Sequence, residues 1–187
     1  MSDFFRLLVV CEANQARSPL AAALLRRSAE ESGWTEETLK IRSAGVNARG
    51  SAPALASIQT SAFRLGVDLS RHSARQLTAA DVDTQDLIIT MTEAQRTQVS
   101  RSRPQGITRT FTLREIARLT AGVDPVPRDL RSRASALHRA RVFVPSAKTG
   151  EDVDDPSGAT SYAARRIANE LQRLSETTSR YLFATHA

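Results

Sequence analysis

Short apolar runs alternate with amphipathic stretches in this 187-residue chain, and that alternation constrains its fold more than any other feature. Phe4 to Val10 is apolar apart from Arg6, and its length suits a strand buried in a parallel sheet. A polar loop from Cys11 to Arg17 follows, and Ser18-Pro19 then opens a stretch with apolar residues at helical spacing. Serine is a favoured N-cap and proline a favoured first helical residue, so the pattern predicts a helix that starts at Ser18 and ends before Gly33.

The same alternation continues along the chain. Further strands are predicted at three places: Thr38–Ala44, Asp86–Met91 and Ile107–Phe111. Further helices are predicted from apolar spacing and capping residues: Leu55–Leu65, the stretch after Thr92, Leu113–Leu119 with Thr112 as its cap, and a long C-terminal helix through Ile167–Tyr181. Strands that alternate with helices form parallel sheets covered on both faces, so we expect an α/β fold. Ligands of such sheets bind beyond the carboxyl ends of the strands, where the loop that starts at Cys11 lies.

Residues 121–160 are the least regular part of the sequence and hold four of the seven prolines. A helix is predicted inside them over Asp129 to Arg141, and we expect loop around it. No internal repeat and no linker divides the chain. We therefore expect one domain over residues 1–187, with 121–150 as an irregular insertion.

Composition excludes several classes of protein. A single cysteine forms no internal disulfide, which excludes a disulfide-rich secreted scaffold and favours a reducing compartment. No run approaches the roughly 18 apolar residues of a membrane span, and the first residues are wrongly flanked for a signal peptide, so we expect a cytoplasmic protein without membrane contact. The net charge is +6, but the arginines are spread along the chain, and nucleic-acid binding is not expected. One cysteine and three histidines give no zinc-ligand spacing, and we expect neither a metal nor a cofactor.

The loop after the first strand carries the residues for phosphate chemistry. Cys11 ends a predicted strand just before a helix N-terminus, where unpaired N–H groups and the helix dipole stabilise anions, a thiolate included. Arg17, six residues later, offers a planar fork of donors to phosphate oxygens, and the Ser18 hydroxyl can reach the sulfur. A buried, inert cysteine is the alternative, because Cys-x5-Arg-Ser often occurs by chance. Its placement between a strand and a capped helix favours a metal-free site for phosphoryl transfer.

The stretch Val10 to Pro19 resembles the signature of the low-molecular-weight protein tyrosine phosphatases, Cys-x-(Gly or Ala)-Asn-x-Cys-Arg-Ser-Pro. Further similarities follow in the order of that family: Ser43-Ala44-Gly45, His72 within Asp68–Arg75, Thr90-Met91-Thr92, Phe111-Thr112-Leu113 and Asp155-Pro156. The resemblance covers residues 7 to about 160. It implies a phosphatase I-like fold with three α/β/α layers and a central four-stranded parallel sheet.

The resemblance also implies roles for single residues. Cys11 would attack phosphorus to form a cysteinyl-phosphate, and Asp155 would protonate the leaving group and then activate water. Asp152 and Asp154 lie close enough to compete for that role, but Asp155 directly precedes Pro156. The phosphate would be held by the loop residues Glu12, Ala13, Asn14, Gln15, Ala16, Arg17 and Ser18. The loop itself would be supported by Asn14, Ser18, Ser43 and His72, with Ser18 also stabilising the thiolate.

The sequence departs from the family pattern around the predicted phosphate site. Ala16 replaces the usual second cysteine, Glu12 and Gln15 are unusual, and Ser157-Gly158 stands where tyrosine-directed relatives carry aromatic residues. We therefore expect a phosphatase for phosphotyrosine or a similar group, phosphoarginine and small phosphorylated metabolites included. One alternative is arsenate reduction on the same fold, which would need an external small thiol because the chain has no second cysteine. Another is a non-catalytic phosphate-binding regulatory module.

Overall fold

The computed structural model describes residues 4–123, 126–145 and 150–184. In these residues a four-stranded sheet has the order β2-β1-β3-β4, and every neighbouring pair is parallel. The strands are β1 (Phe5–Cys11), β2 (Leu39–Gly45), β3 (Leu87–Thr90) and β4 (Thr110–Thr112). The register pairs Cys11 with Gly45 and Val10 with Thr90, so the carboxyl ends of β1, β2 and β3 meet at one edge.

Helices cover both faces of the sheet, which confirms the predicted α/β architecture. The α-helices are α1 (Arg17–Glu31), α2 (Ala56–Arg64), α3 (Ala79–Thr84), α4 (Glu93–Ser102), α5 (Leu113–Leu119), α6 (Leu130–Ala140) and α7 (Ser161–Leu182). The side of β1 that carries Leu7 and Val9 packs in one core with α1, α2, α5, α6 and α7, and the side with Leu8 and Val10 packs against α3 and α4. Burial on both sides explains why the strand reads as a continuous apolar run. None of the helices in the described ranges is both long and apolar enough to span a membrane.

Two predicted boundaries were wrong. Helix α1 starts at Arg17 with Ala16 as its N-cap, and Ser18 does not cap it because its hydroxyl is directed to Cys11. Pro19 is still tolerated, since the first turn of a helix needs no N–H from that residue. The strand predicted over Ile107–Phe111 is present as β4 but starts only at Thr110, because Pro104–Arg109 form a 3₁₀ turn in which Ile107 is 55% exposed.

Helix α3 was not predicted, although the sequence carries its signal. The Thr78 hydroxyl accepts from the Asp81 amide, and the Asp81 carboxylate accepts from the Thr78 amide, which completes a capping box. Only Val82 of the helix is buried, so the apolar spacing was too sparse to reveal it.

Within the segment 121–150, the helix predicted over Asp129 to Arg141 is present as α6, and Asp129 is its N-cap. Its Arg133 is 1% exposed and donates to the main-chain carbonyls of Pro127, Leu182 and Ala184, which attaches α6 to the end of α7. Helix α6 is therefore part of the packed structure next to α5 and α7.

Candidate active site

The loop after Cys11 curves around the edge where β1 and β2 end. The Val46 amide donates to the Cys11 carbonyl at 2.9 Å, and the Asn47 amide donates to the Glu12 carbonyl at 2.9 Å. On the far side of the loop, the Leu55 amide donates to the Gln15 carbonyl at 2.9 Å. Because these bonds direct the carbonyl groups of the loop outward, the backbone amides of the loop are free to face the space that it encloses.

The amide groups of this loop form an anion cradle. In the part of the chain that the structure describes, no backbone amide of residues 12–18 donates to a protein acceptor. The last of them belong to the first turn of α1, whose positive dipole end adds to their effect. Such a ring of donors suits a phosphate group.

Cys11 lies at the base of the cradle, 2% exposed. Its Sγ is 2.9 Å from the Ser18 Oγ, which also accepts a hydrogen bond from the Asn14 amide group at 2.9 Å. The hydroxyl has one hydrogen to donate, and the sulfur is nearer than its other acceptor, the Ala44 carbonyl at 3.3 Å. A hydroxyl that donates to sulfur stabilises the thiolate, which is the reactive form of cysteine.

Asn14 ties the loop to three other segments. It is fully buried with φ 56°, a left-handed conformation that asparagine tolerates better than most residues. Its Nδ2 donates to Ser43 Oγ at 2.9 Å, and its Oδ1 accepts from the Arg75 amide at 3.0 Å. His72 Nε2 lies 2.6 Å from the Asn14 carbonyl and must donate, since a carbonyl only accepts. The structure thus brings together all four residues predicted to support the loop, and it adds the Arg75 amide, a backbone donor that sequence motifs cannot reveal.

Arg17 reaches from the first turn of α1 toward a loop far along the chain. Its side chain is 5% exposed, and it donates through Nη1 to the Val153 carbonyl at 3.0 Å and through Nη2 to the Asp155 carboxylate. Its Nε is buried and has no partner among the described residues. The other Asp155 oxygen accepts from the Ser157 amide at 2.9 Å, and the Asp155 side chain is 41% exposed. Asp155 therefore lies beside Arg17 at the solvent-facing side of the site.

The two neighbouring aspartates have other partners. Asp152 accepts from the Glu93 amide at 2.7 Å, at the start of α4. Asp154 pairs with Arg166 of α7 at 3.0 Å, and both side chains are about 60% exposed. Of these three carboxylates, only Asp155 contacts Arg17 in the structure.

Gly45 at the end of β2 permits the close approach of the loop. A Cβ at this position would lie 2.6 Å from the Glu12 carbonyl oxygen and 2.9 Å from both the Ala13 carbonyl carbon and the Asn14 nitrogen.

The residues that depart from the family pattern differ in exposure: Glu12 is exposed, and Ala16 is 5% exposed. Within the described ranges, no group of His, Cys, Asp and Glu side chains is arranged to hold a metal ion.

Comparison with known proteins agrees with this geometry. The family model for low molecular weight phosphotyrosine protein phosphatases matches residues 6–127. A relative described as a probable low molecular weight protein-tyrosine-phosphatase EpsP, from Ralstonia nicotianae, is 34% identical over 131 residues, which cover 70% of this chain and 85% of the relative. A protein-arginine-phosphatase of Geobacillus stearothermophilus is 28% identical over 118 residues, 63% of this chain and 75% of that protein.

The fold is also found among solved structures. A YwlE mutant from Bacillus subtilis matches with a TM-score of 0.73 and 23% identity, covering 96% of this chain and 99% of that one. At this identity the likeness shows the fold alone. The family match goes further, because residues 6–127 contain the phosphate loop, helices α1 to α5 and the four strands except Phe5, and the EpsP relative is 34% identical over 70% of this chain. The chain belongs to the low-molecular-weight protein tyrosine phosphatase family and is a cysteine-dependent phosphatase.

Proposed function

We propose that Cys11 is the nucleophile of a two-step hydrolysis of phosphotyrosine or a similarly phosphorylated residue. In the first step the Cys11 thiolate attacks phosphorus, the phosphorus–oxygen bond to the leaving group breaks, and Asp155 gives its proton to that oxygen. In the second step Asp155 takes a proton from water, the water oxygen attacks phosphorus, and the sulfur–phosphorus bond breaks. Inorganic phosphate leaves, and both the thiolate and the protonated Asp155 are restored.

One observation carries this proposal: a buried thiol, an uncommitted ring of amides and a cation–carboxylate pair meet at one loop. The Cys11 sulfur lies 2.9 Å from the Ser18 hydroxyl, the backbone amides of residues 12–18 have no acceptor within the described residues, and Arg17 holds Asp155 beside them. Nucleophile, oxyanion donors and proton donor are the three components that phosphoryl transfer needs without a metal.

The ion pair between Arg17 and Asp155 links the acid to the phosphate site. A bound phosphate would take donors of the Arg17 guanidinium, and the Asp155 carboxyl would then be released from that contact beside the leaving group.

For the substrate we propose weak discrimination in favour of phosphotyrosine and use of phosphoarginine as well. Aromatic rings gain affinity from aromatic walls, and neither Glu12 nor Ser157, the exposed residues beside the site, is aromatic. The exposed Glu12 carboxylate would attract a cationic leaving group such as a guanidinium. The similarity to a protein named protein-arginine-phosphatase supports this second substrate. Because a thiolate nucleophile is preserved in a reducing compartment, we place the enzyme in the cytoplasm, acting on phosphorylated proteins.

The experiment is a substrate panel with matched variants. Phosphotyrosine, phosphoserine and phosphoarginine peptides are assayed beside arsenate with low-molecular-weight thiols. We expect turnover of the first and third peptides, and none with Cys11→Ser, which should still bind phosphate through the amides and Arg17. Turnover of arsenate alone would favour the reductase alternative, and binding without turnover would favour the regulatory module.

A second pair of variants tests the acid. Asp155→Asn should lower kcat/KM by about 10²–10⁴-fold for phenyl phosphate, whose phenolate is a poor leaving group. It should lower kcat/KM less for p-nitrophenyl phosphate, whose nitrophenolate is a better one. Asp154→Asn is the matched control, since its carboxylate pairs with Arg166 instead. If Asp154→Asn shows the loss and Asp155→Asn does not, Asp154 is the general acid instead.

A further inference from the structure

The acid loop, residues 150–158, is attached to the rest of the molecule at successive positions. The Asp152 carboxylate accepts from the Glu93 amide at 2.7 Å, and the Val153 amide donates to the Met91 carbonyl at 2.8 Å. The Val153 carbonyl accepts from Arg17 at 3.0 Å. These bonds fix the middle of the acid loop against the end of β3 and the phosphate loop.

Arg118 of α5 fixes the beginning of the same loop. Its Nε and Nη2 both lie 2.8 Å from Glu151 Oε1. Its Nη1 donates to the carbonyls of Pro145 at 2.7 Å and Val144 at 3.3 Å. One guanidinium therefore joins the end of the inserted segment to the start of the acid loop.

The Glu151 carboxylate is buried and depends on this contact. Its side chain is 9% exposed, and Arg118 is its partner among the described residues. A buried carboxylate that loses its cation is strongly destabilised and moves toward water. Because Glu151 immediately precedes the bonds at Asp152 and Val153, such a movement would draw the backbone of the acid loop with it. Arg114, one turn earlier on α5, adds only a long contact to the Gly150 carbonyl at 3.4 Å.

We propose that Arg118 is a positioning residue for Asp155, acting through Glu151. The inference rests on the proposed role of Asp155 as general acid. Arg118 does not reach the reacting atoms, and it determines where the acid loop starts and so where the Asp155 carboxyl stands relative to the leaving oxygen. Proton donation matters most for poor leaving groups, so the effect of losing Arg118 should depend on the leaving group.

The test compares kcat/KM, which reports the first step, for phenyl phosphate and p-nitrophenyl phosphate. Arg118→Met, which keeps the apolar stem, should lower the value for phenyl phosphate about tenfold, since a misplacement near 1 Å costs up to about 10²-fold. For p-nitrophenyl phosphate the value should stay within about twofold, because its leaving group needs little protonation. The ratio of the two kcat/KM values, phenyl phosphate over p-nitrophenyl phosphate, should therefore fall. Glu151→Gln should lower this ratio less, because its amide oxygen still accepts from Arg118. Arg103→Met, which removes an exposed pair with Asp83 at 3.0 Å, is the control and should leave the ratio unchanged.

The Asp155→Asn background separates this inference from the proposed function. If Arg118 acts through Asp155, adding Arg118→Met to Asp155→Asn changes the ratio no further. A ratio that shifts with Asp155→Asn but with neither Arg118→Met nor Glu151→Gln overturns the positioning role and leaves the proposed acid intact. An equal shift by Arg118→Met in both backgrounds also overturns it. If Asp155→Asn itself leaves the ratio unchanged, both proposals fall. If Arg118→Met does not fold, Glu151→Gln takes its place in the test, and an unchanged ratio in that variant overturns the positioning role.

Discussion

Gly45→Ala is the smallest change that should disable the phosphate loop. The added Cβ would stand 2.6 Å from the Glu12 carbonyl oxygen, and its other two close neighbours are also backbone atoms. Gly45 does not have a positive φ, so the constraint is the close approach alone. A flexible side chain could rotate away from the new methyl group, but backbone atoms can only move with the loop.

The size of that movement follows from the distances. Ordinary contact with a Cβ begins near 3.4 Å, so the Glu12 carbonyl must retreat by about 0.8 Å. Misplacing catalytic groups by about 1 Å can cost about 10²-fold in rate, and we expect that loss in kcat/KM. Overpacking of this kind typically costs about 1–3 kcal/mol of unfolding free energy, which leaves the protein folded.

The assay measures kcat/KM for p-nitrophenyl phosphate together with the unfolding free energy from urea titration. Gly33→Ala is the matched control, because Gly33 has φ +83° at the far end of α1 and nothing lies within 4 Å of its added Cβ. It should cost comparable stability through backbone strain while kcat/KM stays at the wild-type value. A folded Gly45→Ala enzyme with wild-type kcat/KM would refute the steric argument.

Three further predictions concern titration and oxidation. Burial alone would raise the pKa of Glu115, but the hydrogen bond and charge of Arg141 and the charge of Arg96 hold it below its ordinary value of 4.5. The ionised Glu115 carboxylate therefore adds its full contribution to the unfolding free energy above pH 4.5, and that contribution is lost as the pH falls through the lowered pKa. The unfolding free energy of Glu115→Gln should accordingly approach that of the wild type in acid, and a difference that stays constant with pH would contradict this. Burial raises the pKa of Tyr181 to about 12, so the deficit of Tyr181→Phe should narrow between pH 10 and 12 in urea titrations, and a deficit that widens would be inconsistent with it. Prolonged peroxide should inactivate the enzyme irreversibly unless a small thiol is present during exposure, because no second cysteine traps a Cys11 sulfenic acid; full recovery by later reductant would contradict this.

The phosphate loop was largely predictable because its parts lie within ten consecutive residues. A strand end, an anion-binding turn and a helix N-terminus are local features, and the sequence from Val10 to Pro19 contains all three. Even there, local preference misplaced the helix start, because the Ser18 hydroxyl bonds to the sulfur instead of capping the helix. At Ser18, the contact with the Cys11 sulfur therefore outweighed the local preference of serine for the N-cap position.

The contacts between distant segments were not predictable from residue types. Asn14 meets the Arg75 amide, and every residue except proline carries such an amide, so no motif marks it. The pair between Arg118 and Glu151 joins residues 33 positions apart across the inserted segment. Any of the 26 basic residues could in principle have served, and only the packing of α5 against the acid loop selects one.

The two loops of the site are attached to the sheet by different kinds of interaction, and the difference suits their tasks. The phosphate loop is held by short hydrogen bonds among Cys11, Asn14 and Ser18, all at most 2% exposed. Buried hydrogen bonds of this kind are not screened by salt and keep the cradle rigid, as a preorganised oxyanion site requires. The acid loop is also held by backbone hydrogen bonds at Val153, but its contact at the site is an ion pair, that of Arg17 with Asp155, whose side chain is 41% exposed. That pair can exchange partners when a phosphate arrives, so Asp155 can leave Arg17 and turn to the leaving group while the cradle beneath it does not move.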